Sequence, residues 1–193
     1  MGAVTLLPRY DRNNGWFETL TEVPPAAPLS GPTKADVVVV GAGFTGLAAA
    51  RRLAELRPDA HILLLEAGRI GNSAAGRSSG FGIDHAHNVR SKGFADTVEF
   101  EKQQIALNRV GLSYLEEAVT AHDIDCDWSW TGKTHAACTD RGVRDLKHFA
   151  STLDRIDEPY ELLDADAMVD RLGIDHYHQG LHTPGTALMQ PAA

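Results

Sequence analysis

Apolar positions along the chain fall into a few distinct patterns. Val37 to Val40 form a short run without alternation, which is what a strand buried on both faces requires. Residues 45–56 follow a helical pattern that Pro58 stops. "HILLLEA", residues 61–67, is a second unbroken run and predicts a second buried strand. Strand, helix and strand within roughly 30 residues make one βαβ unit, and right-handed crossover makes its strands parallel neighbours. Further on, Phe100, Ile105, Leu107, Val110, Leu112, Leu115 and Val119 supply the apolar contacts of a long helix over about 95–122. "IDCDWSWTG" and "KTHAACT" predict two short strands joined near Gly132 and Lys133. Residues 141–157 predict a helix, and Asp164 is placed to cap "ADAMVDRLG", which Gly173 ends. The tail, "YHQGLHTPGTALMQPAA", predicts a short strand, a Pro-Gly turn and, at "MQPAA", the start of a helix.

Residues 1–33 read as an arm ahead of this pattern. Four prolines in "VPPAAPLSGPT" discourage both helix and sheet there, and Trp16 and Phe17 are its expected anchors. Composition bounds the rest. With 193 residues, 43% hydrophobic and 23% charged, the chain has the make-up of one globular domain or two small lobes. A net charge of -8 with no basic stretch argues against nucleic acid as a partner. No apolar run approaches the roughly 20 residues of a membrane helix, and no basic segment leads into an apolar core at the N-terminus. A cytoplasmic protein is expected, with Cys126 and Cys138 as thiols.

The candidate chemistry begins where the first strand meets glycine. Gly41, Gly43 and Gly46 form a G-x-G-x-x-G set between strand and helix. The chain must turn sharply at Gly41, a pyrophosphate must approach bare backbone at Gly43, and helix must pack close to strand at Gly46. Phe44 and Thr45 lie in the same turn, where a helix N-terminus offers N–H groups and partial positive charge. Glu66, beside Ala67 at the end of the second strand, is placed to accept the hydroxyls of an adenosine ribose. The loop "GRIGNSAAGRSSGFG", residues 68–82, favours FAD over NAD, because its small residues and backbone donors suit a long flat cofactor. Arg69 is assigned to the adenine edge; Ser73, Arg77, Ser78, Ser79 and Gly80 line the path toward the flavin ring. The nine histidines, including His85-x-His87 and His176-x-His178 with His182, lack convincing carboxylate partners, so no metal is expected. Trp128 and Trp130 alternate on one strand face and read as sheet packing; a cage for a protonated amine is the alternative. No catalytic base can be named.

"DVVVVGAGFTGLAAARRLAEL" followed by "ILLLEAGRIGNSAAGRSSG" resembles the amino-terminal half of the FAD-dependent amine and amino-acid oxidoreductases, the D-amino-acid oxidase and glycine/sarcosine oxidase superfamily. Within it the chain resembles the γ-glutamylputrescine oxidoreductase branch, which also carries an N-terminal arm and a "RIG…GRNGG"-like segment. Arg69 to Gly71 and Gly76 to Gly80 match that segment, with Ser78-Ser79 where relatives often have Asn-Gly. The likeness spans about residues 36–191. It implies a Rossmann-type FAD-binding βαβ unit in residues 34–94, and in 95–193 the first part of a mixed-sheet substrate domain. It also implies oxidation of an amine or amino acid at the C–H beside nitrogen. In that family hydride passes to flavin N5, the resulting imine is hydrolysed by water, and an electron acceptor reoxidises the flavin, and the resemblance implies the same here.

Family members usually run to about twice this length, and one βαβ unit exposes both apolar faces of its strands. The chain is therefore expected to be one piece or subunit, completed by a second polypeptide through a split gene or cleavage of a precursor. A non-catalytic FAD-binding scaffold and an NAD-dependent dehydrogenase stand as alternatives.

Overall fold

The computed structural model describes residues 14–22, 27–85 and 98–193. Four expectations fall wholly or partly outside the described residues: the start of the arm, two of its prolines (Pro24 and Pro25), His87, and the helix start at Ala95. The chain divides into two compact units, residues 1–79 with 190–193, and residues 80–189.

In the first unit, β1 (Val37–Val40) and β2 (Ile62–Leu65) lie parallel, with Val37 opposite Ile62 and Val40 opposite Leu65. Between them runs α1 (Phe44–Leu56), a helix free of internal Gly except Gly46 in its first turn. The ladder continues past both ends of β1: Asp36 N–H donates to His61 O at 2.9 Å and Gly41 N–H to Leu65 O at 2.7 Å. The helix begins at Phe44, one residue before the expected start, and β2 is shorter than the apolar run that predicted it. Among the described residues of this unit, few apolar side chains are buried, Phe17 and Ala42 being two that are. No residue of α1 is buried, and Val38 and Val40 on alternate positions of β1 are 50% and 82% exposed. The 68–79 loop is ordered by a 3-10 turn at Ala75–Arg77.

The described residues of the second unit form six short strands and three helices. β3 (Phe81–Ile83), β8 (Thr186–Leu188) and β4 (Ser129–Trp130) form one antiparallel sheet in the order β3-β8-β4. β5 (Lys133–Ala137), β7 (Gln179–Thr183) and β6 (Glu161–Leu163) form another, in the order β5-β7-β6. The two tryptophan-flanked segments are thus strands, but β4 and β5 belong to different sheets. The Pro184-Gly185 corner likewise carries the chain from β7 in one sheet to β8 in the other. Residues 81–82, expected in the loop, are in β3. α2 (Val98–Ala121), α3 (Asp140–Ile156) and α4 (Ala165–Leu172) complete the unit. Thr139 and Asp164 cap α3 and α4 through their side chains, and Gly173 ends α4 in the left-handed conformation.

The core gathers Leu146, Phe149, Ala150, Leu153 and Ile156 of α3 against Ile105, Ala137 and Leu181. Met168 of α4 is fully buried beneath Gly180, where a Cβ would overlap its sulfur. Trp128 and Trp130 touch each other edge to face at 5.7 Å, and Trp130 Nε1–H donates to Glu116 at 2.6 Å. Both cysteines are free, Cys126 buried and Cys138 exposed. Among the described residues, no helix is long and apolar enough to cross a membrane.

Candidate functional site

The strand-to-helix turn of the first unit is built by its glycines. Gly41 sits at φ +98°, a conformation that costs glycine little and other residues much. At Gly46 a Cβ would overlap the carbonyl oxygen of Gly41, so only hydrogen allows α1 to start this close to β1. At Gly43 a Cβ would meet nothing within 4 Å. That position is bare for a different reason: it caps α1 without a side chain and leaves open space above the turn. Phe44, Thr45 and Gly46 occupy the first turn, whose N–H groups have no carbonyl four residues earlier in the helix. The first closing bond, Leu47 N–H to Gly43 O, is 2.9 Å.

Glu66 closes this turn from the end of β2. Its Oε2 accepts from Ala42 N–H at 2.9 Å and its Oε1 from Gly68 N–H at 3.1 Å. Those backbone donors, Ala42 first, hold its carboxyl below the usual range, so it stays charged. Each oxygen that receives one N–H keeps a further lone pair for a hydroxyl. Ala67, next to it, is exposed.

The following loop is knotted on itself. Gly71 has φ +79°, and a Cβ on Gly76 would overlap the Gly71 backbone. Arg77 donates from Nε to Asn72 O at 2.9 Å and from Nη2 to Asn72 Oδ1 at 3.1 Å. Arg69 lies with its guanidinium over the Phe17 ring, 5.3 Å from the centroid. Both arginines expected to face a cofactor thus have contacts inside the unit. Ser73 and Ser78 are half-buried and Ser79 is exposed. Gly80, at φ +75°, opens the second unit, where its carbonyl accepts from Met189 N–H at 2.9 Å.

A second concentration of polar groups lies in the second unit. Asp84, almost wholly buried, accepts from Arg109 Nε at 3.1 Å and Nη2 at 2.9 Å. Arg109 also donates to Glu158 at 3.0 and 2.6 Å, and Glu158 above all holds its charge firmly in place. His85 Nε2 stands 3.5 Å from both carboxylates. His85 Nε2 and Lys133 Nζ are buried without a hydrogen-bond partner among the described residues. Burial pushes both groups below their usual pKa ranges. The guanidinium of Arg109 occupies the position between the two carboxylates, so the cluster ties α2 to the end of β3 and the residues after α3. His182 is separate from it, bonded through Nδ1 to Thr134 Oγ1 at 3.0 Å.

With this geometry in view, comparison with known proteins decides the family. The profile of DAO, the FAD dependent oxidoreductases, matches residues 36–193. The chain belongs to the FAD-dependent oxidoreductase family. It is 33% identical over 187 residues to a probable oxidoreductase, OrdL, of Rhizobium meliloti, a match covering 91% of this chain and 41% of that protein. It is 30% identical over 164 residues to gamma-glutamylputrescine oxidoreductase of Escherichia coli, covering 76% and 36%. The fold is similar to that of glycine oxidase from Geobacillus kaustophilus, with a TM-score of 0.63, 21% identity, and 82% and 41% of the two chains covered. The chain thus spans about two fifths of the length of the relatives it matches.

FAD is the cofactor of this family, and the residues of the first unit suit it. Bare backbone at Gly43, a helix start without a side-chain cap, and a charged carboxylate on the adjoining strand are what a dinucleotide needs. The glycine spacing pointed to these features. Nothing in the sequence pointed to Asn14, whose side chain is buried against the loop, or to Asn72 as the partner of Arg77. The aromatic pair Trp16 and Phe17 in a polar arm was the available signal.

Proposed function

We propose that this chain forms the FAD-binding part of an enzyme that oxidises an amine or amino acid at the C–H beside nitrogen. The observation that carries the reading is the uncovered glycine turn, with Glu66 folded onto it, in a chain of the FAD-dependent oxidoreductase family. Relatives named as a gamma-glutamylputrescine oxidoreductase and a glycine oxidase support the substrate class. Bound FAD, held by the glycine turn and Glu66, would supply the two-electron acceptor for that oxidation, and the oxidised substrate would then be open to hydrolysis by water.

The chain's own residues bind and orient. In this reading Gly41, Gly43, Phe44, Thr45 and Gly46 hold the pyrophosphate with main-chain N–H groups and the helix dipole. Glu66, with Ala67 beside it, takes the ribose hydroxyls. Arg69 and Arg77 act by fixing the loop that presents Ser73, Ser78 and Ser79, and Gly80 continues that segment. Residues 34–94 are the flavin part and 95–193 the beginning of the substrate part of a cytoplasmic protein. Further polypeptide, a separate chain or more of the same one, completes both.

Anaerobic spectroscopy tests this. Protein purified from its host should show flavin absorbance that bleaches with at least one member of a panel of amines and amino acids. Yellow protein inert to the whole panel would favour a flavin-binding scaffold. Colourless protein that binds NAD would favour a dehydrogenase.

A further inference from the structure

We infer that the N-terminal arm is a brace for the 69–78 loop, and that Asn14 and Trp16 are positioning residues for the cofactor; the inference rests on the flavin reading above. The arm lies outside the βαβ unit in sequence, yet the contacts of its residues 14–17 converge on that loop. Asn14 is 2% exposed. Its Nδ2 donates to Gly71 O at 2.6 Å, while its Oδ1 accepts from Phe17 N–H at 3.0 Å. Trp16 Nε1–H donates to Ser78 O at 2.8 Å. Between these points the buried Phe17 ring fills the space beside Gly71, where a Cβ would come within 3.0 Å of it, and Arg69 covers the ring. Gln190 secures the arm from behind, donating to Trp16 O at 2.8 Å.

The loop's own bonds, Asn72 N–H to Arg69 O and Arg77 to Asn72, hold its middle. The arm holds both flanks, Gly71 and Ser78. A glycine- and serine-rich loop loses much conformational freedom on ordering. If the arm has already ordered it, that cost does not fall on cofactor binding. Asn14 serves a carbonyl and an N–H at once, so an apolar replacement takes the donor from the half-buried Gly71 carbonyl and leaves Phe17 N–H only its 3.2 Å bond to the main-chain oxygen of residue 14.

The test uses the protein as isolated, with whatever polypeptide accompanies it, and compares wild type with Asn14→Ala, Trp16→Phe and the surface control Glu55→Gln. Hydrogen exchange of residues 69–78 in flavin-stripped protein is read first, then FAD affinity by fluorescence titration. Asn14→Ala should lose protection in the loop and bind FAD about tenfold more weakly, equivalent to about 1.4 kcal/mol. Trp16→Phe keeps the ring but loses the donor, and should show a smaller change of the same kind. Glu55→Gln should show neither, and exchange in α3 should be unchanged throughout. Unaltered loop exchange in both arm variants overturns the brace. Altered exchange with unaltered FAD affinity overturns the positioning role. If Asn14→Ala fails to fold, the same two readings on Trp16→Phe decide. Wild-type protein that takes up no flavin while its loop exchange still responds overturns the flavin reading, and the positioning role with it.

Discussion

At the scale of single residues, two glycines three positions apart do different work, and substitution separates them. Alanine at Gly46 places a methyl on the carbonyl of Gly41, backbone against backbone, with no flexible side chain to yield. Gly46→Ala should therefore cost about 1–3 kcal/mol of stability as overpacking, visible as a lower Tm, and should reduce flavin uptake with it. Alanine at Gly43 meets nothing, and its φ of -82° suits any residue. Gly43→Ala should keep the wild-type Tm and yet bind FAD at least about tenfold more weakly, because in the proposed reading the methyl would stand where the pyrophosphate approaches. Equal affinity for Gly43→Ala and wild type would remove the pyrophosphate from this turn. Glu66 gives a pH signature. Ala42 and Gly68 hold its folded pKa below the ordinary 4.5. Its contribution to stability is thus fully present above that ordinary value and is lost as pH falls through the folded one. Thermal melts from pH 6 to 3 should show wild type losing its advantage over Glu66→Gln across that window. A constant difference would mean the backbone bonds to the carboxylate do not form.

At the scale of elements, what was legible followed length and punctuation. β1, α1, β2, α2 and α3 carry enough apolar residues in one period to declare themselves, and Asp164 and Gly173 mark α4 by capping chemistry. β3, β6 and β8 have three residues each, too few for alternation to register, and are made by pairing with distant partners rather than by local preference. Sheet membership was hidden for the same reason: β4 and β5 are separated by two residues but find partners in different sheets. In the candidate site, glycine spacing revealed the turn, whereas the destinations of Arg69 and Arg77 depended on Phe17, marked in the sequence only as an anchor of the arm, and on Asn72, which no pattern singles out. The Asp84–Arg109–Glu158 link is equally invisible in one dimension, since it joins residues 25 and 49 positions apart. It also makes a prediction about elements. Asp84→Asn leaves Arg109 with Glu158 alone and weakens the attachment of α2 to β3. Because Arg109 is half exposed, the loss should fall below the 3–5 kcal/mol of a fully buried pair, at about 2 kcal/mol. Urea unfolding measures it. An unchanged midpoint would mean the bridge contributes nothing net, as exposed pairs often do.

At the scale of the whole molecule, the two units are unequal in a way that bears on what the chain needs. The second has a core of its own, built on Leu153, Leu181 and Met168. The first presents Val38, Val40, Phe44, Leu47 and Leu56 to solvent from a two-stranded sheet and a helix with no buried residue. A parallel sheet is normally covered on both faces, and two strands cannot supply that cover. The chain spans about two fifths of its relatives' length, so there is family sequence enough to provide it. We expect native mass spectrometry of protein from its own host to show this sequence together with further polypeptide, and the mass of FAD in the same complex. Expressed without that material, the 193 residues should bind an apolar dye and associate as concentration rises, while exchange protection remains high in α3 and low in α1. A lone chain that stays monomeric, binds no dye and retains FAD would show that the exposed face of β1 needs no cover. That result would remove the argument from exposed apolar surface for a completing polypeptide.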